Sequence, residues 1–373
     1  MKTDIILHPM KNSSKRVLMA MSGGIDSSVS ALLLREQGYE LVGATFRTFD
    51  YIKESCLARE KGCCSVESIM EAKHFAESLG IEHHILDFRQ IFRDHVISNF
   101  VEEYQRGRTP NPCVLCNSHI KWGELLAAAD QYGCDFIATG HYAQIAQFNG
   151  HYYLKNAADT HKDQTYFLWM LTEENLKRTI FPLGGYTKDE VRQLALQHHF
   201  EKLAKKSESQ EICFIPDNDY RHFLAEQGCR IEEGNFVNNE GKVVGRHKGY
   251  CNYTIGQRKG LGVAFGDPKY VTHIDAERNE VTIGNRDELY CTEVHSADVR
   301  LRDVEWLRSS PEVLARIRYK SPAAPATLMI DDDFEATRRI RLHFAEPIWG
   351  VTPGQSVVLY KDGLVVGGGL IES

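Results

Sequence analysis

The chain has 373 residues, 42% hydrophobic and 25% charged, with a formal net charge of −7 at pH 7. That length is more than one domain's worth, the composition is that of a soluble globular protein, and no apolar run approaches the ~20 residues a membrane helix needs. The negative balance excludes global attraction to nucleic acid, so any RNA binding must use local basic patches. The N-terminal stretch MKTDIILHPMKNSSKR lacks the apolar core and cleavage site of an export signal. A cytoplasmic location with no membrane is therefore expected, and the ten cysteines should serve there as thiols, ligands or catalysts.

The first elements alternate. RVLMAM (Arg16 to Met21) is an apolar run expected to be a buried strand. Ser22-Gly23-Gly24 breaks it, and DSSVSALLLREQG continues as a helix stopped by Gly38. YELVGATF predicts a second strand, SVESIMEAKHFAESLG a helix and IEHHILDF a third strand. IFRDHVISNFVEEYQRG and IKWGELLAAADQYG predict further helices, and CDFIATG a fourth strand. This alternation indicates an α/β doubly wound parallel sheet, with ligands at the carboxyl ends of its strands.

The pattern then changes. Asn149-Gly150 lies between two strand-like runs, a hairpin signal. KDQTYFLWML and TKDEVRQLALQHHF predict helices, the second opened by the capping box Thr187-x-x-Glu190. Beyond Pro216 helical periodicity fades and short strands separated by turn signals take over. The expected domains are 1–215, the α/β domain with a helical insert; 216–293, a central β-rich domain; and 294–373, a β-barrel domain.

SGGIDSS (Ser22 to Ser28) falls between the first strand and its helix. Its glycines let backbone approach phosphate closely, the helix start offers N–H groups to anionic oxygens, and the serines add hydroxyls. Asp26 is placed to hold Mg²⁺ on a pyrophosphate. The chain has no G-x-x-x-x-G-K-[ST], so the loop is not of the kinase or GTPase type. A Ser-capped helix after an ordinary turn is the plain alternative.

The loop resembles that of the N-type ATP pyrophosphatases, which adenylate a carbonyl oxygen before a nucleophile displaces AMP. TPNPCVLCN, ATGHYA, KDQTYFL, SQEICFIP, YTIGQRKGLG and TPGQSVVLY resemble, in order and over nearly the whole chain, tRNA-specific 2-thiouridylase. That resemblance implies ATP-dependent exchange of oxygen for sulfur at C2 of the wobble uridine (position 34) in tRNAs for Lys, Glu and Gln, with an upstream sulfur-relay protein or cysteine desulfurase as donor. The chemistry is coherent. A uracil C2 carbonyl is a poor electrophile, adenylation makes its oxygen a good leaving group, and Cys can carry the incoming sulfur. The resemblance makes Cys213 the persulfide carrier and Cys116 the nucleophile that forms a disulfide with it. ATP contacts fall on Ala20, Met21, Ser22, Gly23, Gly24, Ile25, Asp26 and Ser27, on Phe46 at the adenine and on Gly140. Asn111, Pro112 and Cys113 match the segment against the target base. Lys162, Asp163, Gln164, His141, Arg318, Tyr319 and Gln355 match tRNA contacts. Basic clusters such as KLAKK, GRHKG, ARIRYK and TRRIR fit an RNA partner, although any one alone is an ordinary solvated face.

Many members of that family carry Asp where this chain has Cys113, a candidate for acid–base work at the base. A thiol does that work only with a lowered pKa. The substitution also creates Cys113-x-x-Cys116, which with Cys213 offers three thiolates for a [4Fe–4S] cluster as an alternative to persulfide chemistry. Zinc would want a fourth ligand. Cys56 and the adjacent Cys63 and Cys64 invite a metal reading but are expected to be structural or a redox accident, and GLGVAFG a hairpin or loop. Two rivals remain. An ATP-dependent amide ligase would explain SGGIDSS but not the paired cysteines. A non-catalytic tRNA-binding protein would explain the basic clusters but not the loop.

Overall fold

A computed structural model describes residues 4–5, 15–49, 66–206, 212–215, 219–229, 231–262 and 267–373. Cys56, Cys63 and Cys64 lie outside them, as do parts of SQEICFIP and GLGVAFG. The chain divides into two compact units. The first holds residues 1–96, 113–218 and 362–365, the second 97–112, 219–361 and 366–373.

The first unit is built on a five-stranded parallel sheet. Its strands are β1 (Arg16–Ala20), β2 (Glu40–Arg47), β3 (Glu82–Asp87), β4 (Phe136–Ala138) and β5 (Thr179–Ile180), in the order β3-β2-β1-β4-β5. β1 is central, with Val17 paired to Leu41 on one side and to Phe136 on the other. Its Val17, Leu18 and Met19 are wholly buried, which is why this strand is a continuous apolar run rather than an alternating one. Helix α1 (Ile25–Glu36) lays Ala31, Leu32 and Leu34 against Val17 and Met19, and α2 (Val66–Ser78) adds Ala72, Phe75 and Ala76 to the same core. The other flank of α1, through Ile25, Val29 and Leu33, packs on Val191 and Ala195 of α3 (Lys188–Gln197). Helix α3 starts at the expected capping box, Thr187 and Glu190 each bonding the other's backbone.

The Asn149-Gly150 hairpin forms between Gln144–Phe148 and His151–Lys155, both turn residues having positive φ, 49° and 79°, as a type I′ turn requires. KDQTYFLWML is not a helix. Only Thr165–Phe167 makes a short 3₁₀ turn, because Asp163 ties the segment to Ala157 and Asn156 instead of leaving its amides to a helical ladder. Strand β5 lies in sequence that shows no alternation, since only two of its residues pair.

The second unit holds a four-stranded sheet in the order Val243–His247, Gly234–Val237, Glu280–Gly284, Tyr270–Asp275. Phe236, Val271, Val281 and Ile283 form its core. It also holds a closed barrel of the strands Tyr290–Leu301, Ile340–Trp349, Ala324–Ile330, Glu312–Arg316, Ser356–Lys361 and Leu364–Ile371. The helix Tyr220–Glu226 interrupts this β-rich region. Its N-cap Asp219 accepts from the amides of Arg221 and His222, and Tyr220 stacks on Tyr104 at 5.1 Å.

Candidate active site

The strand order reverses at β1, whose neighbours run to opposite sides, so the crevice beyond the ends of β1 and β4 is where an open α/β sheet takes its ligand. SGGIDSS leaves β1 there. Gly23 has φ +69°, and a Cβ on it would stand 2.5 Å from the Ser68 carbonyl oxygen, so only glycine fits. Gly24 is the N-cap of α1 and provides no side-chain cap, which leaves the first-turn amides for an anion. Ser27 Oγ accepts from the Ser22 amide at 3.1 Å and donates to the Gly24 carbonyl at 3.1 Å, fixing the curl of the loop. Beneath it, the Thr45 hydroxyl donates to the Met21 carbonyl at 2.7 Å and so must accept from His83 Nε2 at 2.8 Å. Phe46, at the end of β2, is half-buried against Phe88.

Asp26 does not stand open for Mg²⁺. Its carboxylate takes the Lys188 ammonium at 2.7 Å on Oδ1 and 2.9 Å on Oδ2, and the Tyr142 hydroxyl donates to Oδ1 at 2.8 Å. Lys188 is 5% exposed, and its ammonium lies 5.8 Å from the Tyr142 ring. The carboxylate is thus neutralised by the chain itself, and the residues at the loop do not fit a dedicated metal site. Mg²⁺ is a hard cation that keeps its waters and sits mainly on substrate phosphates, and it would come to this loop with ATP.

β4 delivers Gly140 to the same place. A Cβ there would lie 2.9 Å from both Asp26 C and Ser27 N, so this backbone lies directly against the start of α1. The next residue, His141, is buried, with its ring near Trp122 and Phe181. Lys121 Nζ lies 3.2 Å from His141 Nε2. An ammonium can only donate, so Nε2 accepts and Nδ1 carries the proton to Thr139 Oγ1 at 2.7 Å. Burial, with the Lys121 charge second, holds the imidazole pKa well below its ordinary value, so it is neutral at pH 7.

Lys121 belongs to a helical run beginning at Pro112 that carries both Cys113 and Cys116. Cys113 has exposed surface. Desolvation by the protein on its inner side pushes its pKa up despite the opposing pull of Lys121, leaving a neutral thiol. Cys213 is exposed. Its neighbour Phe214 is buried edge-on against Phe92 at 5.7 Å, and the Arg89–Phe92 turn packs on the Cys116–Glu124 stretch. The residue after Cys213 thus packs on a turn that itself meets the helical stretch of Cys116. Among the described residues no three His, Cys, Asp or Glu side chains gather as a metal set. Cys113, Cys116 and Cys213 are not brought together as one such set.

The remaining expected residues divide in two. Asp163 is 4% exposed, and its carboxylate accepts from the Ala157 amide at 2.7 Å, Asn156 Nδ2 at 3.1 Å and the Thr165 amide at 3.1 Å. Gln164 Oε1 accepts from the Tyr142 amide at 2.9 Å, and Lys162 between them and His161 is half-buried. In the second unit, Gln355 Nε2 donates to the Thr109 and Pro110 carbonyls at 3.1 and 3.0 Å, and the Thr109 amide donates to the Pro353 carbonyl at 2.9 Å. This fixes the backbone leading to Asn111 and Pro112. Arg318 donates to the Gly350 carbonyl and Thr352 Oγ1 with its guanidinium 5.5 Å from the Trp349 ring, and Tyr319 is half-buried. The TRRIR arginines all meet acids: Arg338 with Glu335, Arg339 with Glu372 and Arg341 with Asp331.

Family models match in succession: tRNA methyl transferase HUP domain over residues 15–217, tRNA methyl transferase PRC-barrel domain over 221–285 and aminomethyltransferase beta-barrel domain over 296–371. A protein of Amoebophilus asiaticus named tRNA-specific 2-thiouridylase MnmA is 49% identical over 365 residues, covering 96% of this chain and 95% of its own. Proteins of the same name from Cytophaga hutchinsonii and Carboxydothermus hydrogenoformans are 46% and 47% identical, each over 96% of this chain and 97% and 98% of theirs. The chain belongs to the tRNA-specific 2-thiouridylase family. Within that family's shared framework, the side chains that sequence reasoning passed over are Lys188, Tyr142 and Lys121. Lys188 lies inside the capping box that was legible, but its partner Asp26 is 162 residues away. Only the fold brings the two together.

Proposed function

We propose that the chain is an ATP-dependent tRNA 2-thiouridylase, acting on the wobble uridine of tRNAs for Lys, Glu and Gln. The observation that carries this reading is the meeting, in one unit, of an adenylating loop and a thiol-bearing helix: Gly140 lies against Asp26 and Ser27, and the adjoining His141 holds Lys121 of the Cys116 helix. Loop amides and serine hydroxyls take the ATP phosphates, with Phe46 at the adenine, and the uridine C2 oxygen attacks the α-phosphorus, expelling pyrophosphate. The terminal sulfur of a Cys213 persulfide then adds to C2, and the C2–O bond breaks with its electron pair going to AMP. The Cys116 thiolate next attacks Cys213 Sγ, so the sulfur leaves on the base as 2-thiouridine and a Cys116–Cys213 disulfide forms. A dithiol reductant reopens that disulfide, and a cysteine desulfurase or sulfur-relay protein reloads Cys213. Residues 1–215 would perform the chemistry, while 216–293 and 294–373 would bind tRNA, the latter with Arg318 and Tyr319 and with Gln355 fixing the Thr109–Pro110 backbone ahead of the base-facing segment. Asp163 and Gln164 would shape the loop that presents Lys162 to tRNA, and Asn111, Pro112 and Cys113 would flank the base.

The test supplies ATP, Mg²⁺, unmodified tRNA and a persulfide donor, and scans digested tRNA by mass. We expect 2-thiouridine with equimolar AMP from the wild type and none from Cys213→Ser. An amide ligase would release AMP without thiolated tRNA, and a non-catalytic binder would release none.

A further inference from the structure

Cys113 stands where a proton-handling group is wanted beside the target base, but its sulfur is a neutral thiol. Lys121 lies on the same helical run, close enough to Cys113 to act on it electrostatically, and is itself half-buried. It is held from behind by His141, whose other nitrogen is bonded to Thr139 and whose preceding residue, Gly140, lies against the phosphate loop. The imidazole accepts a single hydrogen bond from Lys121, so the ammonium keeps two N–H donors for other acceptors. Neither His141 nor Cys113 adds negative charge that would neutralise it. The cation is thus anchored one residue from the backbone that abuts the activating loop, on the helical run that opens with the segment assigned to the base.

Resting on the thiouridylase reading, we propose that Lys121 is a catalytic cation of the adenylation step, donating to the uridine C2 oxygen as that oxygen attacks the α-phosphorus. The uridine N3 proton departs to solvent, the charge it leaves is shared with the C2 oxygen, and the Lys121 ammonium stabilises it there. The new O–P bond forms as the bond to pyrophosphate breaks with its electron pair on pyrophosphate. The ammonium keeps its protons throughout, so charge does the work that a carboxylate base would do at position 113. His141 is a positioning residue, holding the ammonium without cancelling it.

The experiment compares the full-length wild type with Lys121→Met and Lys121→Arg in single-turnover, tRNA-dependent AMP formation, with ATP and tRNA dissociation constants measured separately. Removing one such donor should slow adenylation by about 10²–10³-fold, with both dissociation constants changed less than about threefold, and Arg should restore most of the rate. The distinguishing readout is the pH profile. The Lys121→Met deficit should shrink as the pH approaches the pKa of uridine N3, where the base ionises unaided. A deficit that is the same at every pH, or that follows a loss of ATP or tRNA binding, would make Lys121 structural and overturn the proposal. So would a rate within threefold of wild type. If the wild type itself forms no AMP with tRNA, the thiouridylase reading fails first, which keeps the two outcomes apart.

Discussion

Replacing Asp26 by Asn should destabilise the ligand-free protein more than replacing Lys188 by Met, although both break the same ion pair. The Lys188 side chain is 7% exposed and that of Asp26 34%. Without the carboxylate, the ammonium stays buried with an amide oxygen and the Tyr142 ring for company, and stranding a buried charge costs about 3–5 kcal/mol. The amide oxygen recovers part of a hydrogen bond, so the lower end, about 3 kcal/mol, applies. Without the lysine, Asp26 keeps the Tyr142 hydroxyl and can hydrate on its exposed side, while Met fills the space of the lysine stem. The loss is then a charge-assisted hydrogen bond at a half-exposed carboxylate, about 1 kcal/mol after solvent screening. The double variant removes both charges and should cost about 2 kcal/mol, so the cycle shows coupling of about 2 kcal/mol. Urea melts of the four proteins without ATP measure this. Strict additivity, or a Lys188→Met loss as large as that of Asp26→Asn, would refute the account of a buried lysine neutralised by the loop.

Gly140→Ala should reduce tRNA-dependent AMP formation by more than about 10²-fold with the near-UV circular dichroism intact, because its Cβ meets backbone atoms of Asp26 and Ser27 that cannot yield. Wild-type turnover would show that β4 does not abut the loop. Gln355→Ala should cost about 1–2 kcal/mol, since two carbonyls lose their donor; unchanged stability with weakened tRNA binding would make Gln355 a direct contact instead. Burial lowers the pKa of His83, His141 and His247 below their ordinary 6.5. The unfolded chain therefore binds protons near and below pH 6.5 that the folded chain refuses. Stability should be full above that pH and fall below it, by up to ~1.4 kcal/mol per pH unit for each histidine. A urea midpoint flat from pH 7.5 to 5 would contradict this.

The parallel sheet was legible because each strand of its centre is short, apolar and followed by a helix with a marked end, as in RVLMAM and the run closed by Gly38. The Asn149-Gly150 hairpin and the Thr187 capping box were legible for the same reason, since turn and cap chemistry act over a few residues. KDQTYFLWML was misread as helix because its apolar spacing is also that of a loop packed on its own side chains, with Trp169 and Tyr166 fully buried. The strand Thr179–Ile180 left no pattern because two residues have no period. At the site, the loop and its cysteines were visible as motifs. The neutralisation of Asp26 by Lys188 was not, nor was the neutral thiol at Cys113, because both arise from tertiary neighbours.

The most direct test of the account loads Cys213 with a ³⁴S-labelled terminal persulfide in iron-stripped protein, removes the donor, and adds MgATP and unmodified tRNA for one turnover. The account predicts up to one ³⁴S-labelled 2-thiouridine per loaded enzyme, AMP in equal amount, and a Cys116–Cys213 disulfide found by non-reducing peptide mapping. AMP without label in the tRNA, or thiolation that appears only after iron–sulfur reconstitution with added sulfide, would contradict it.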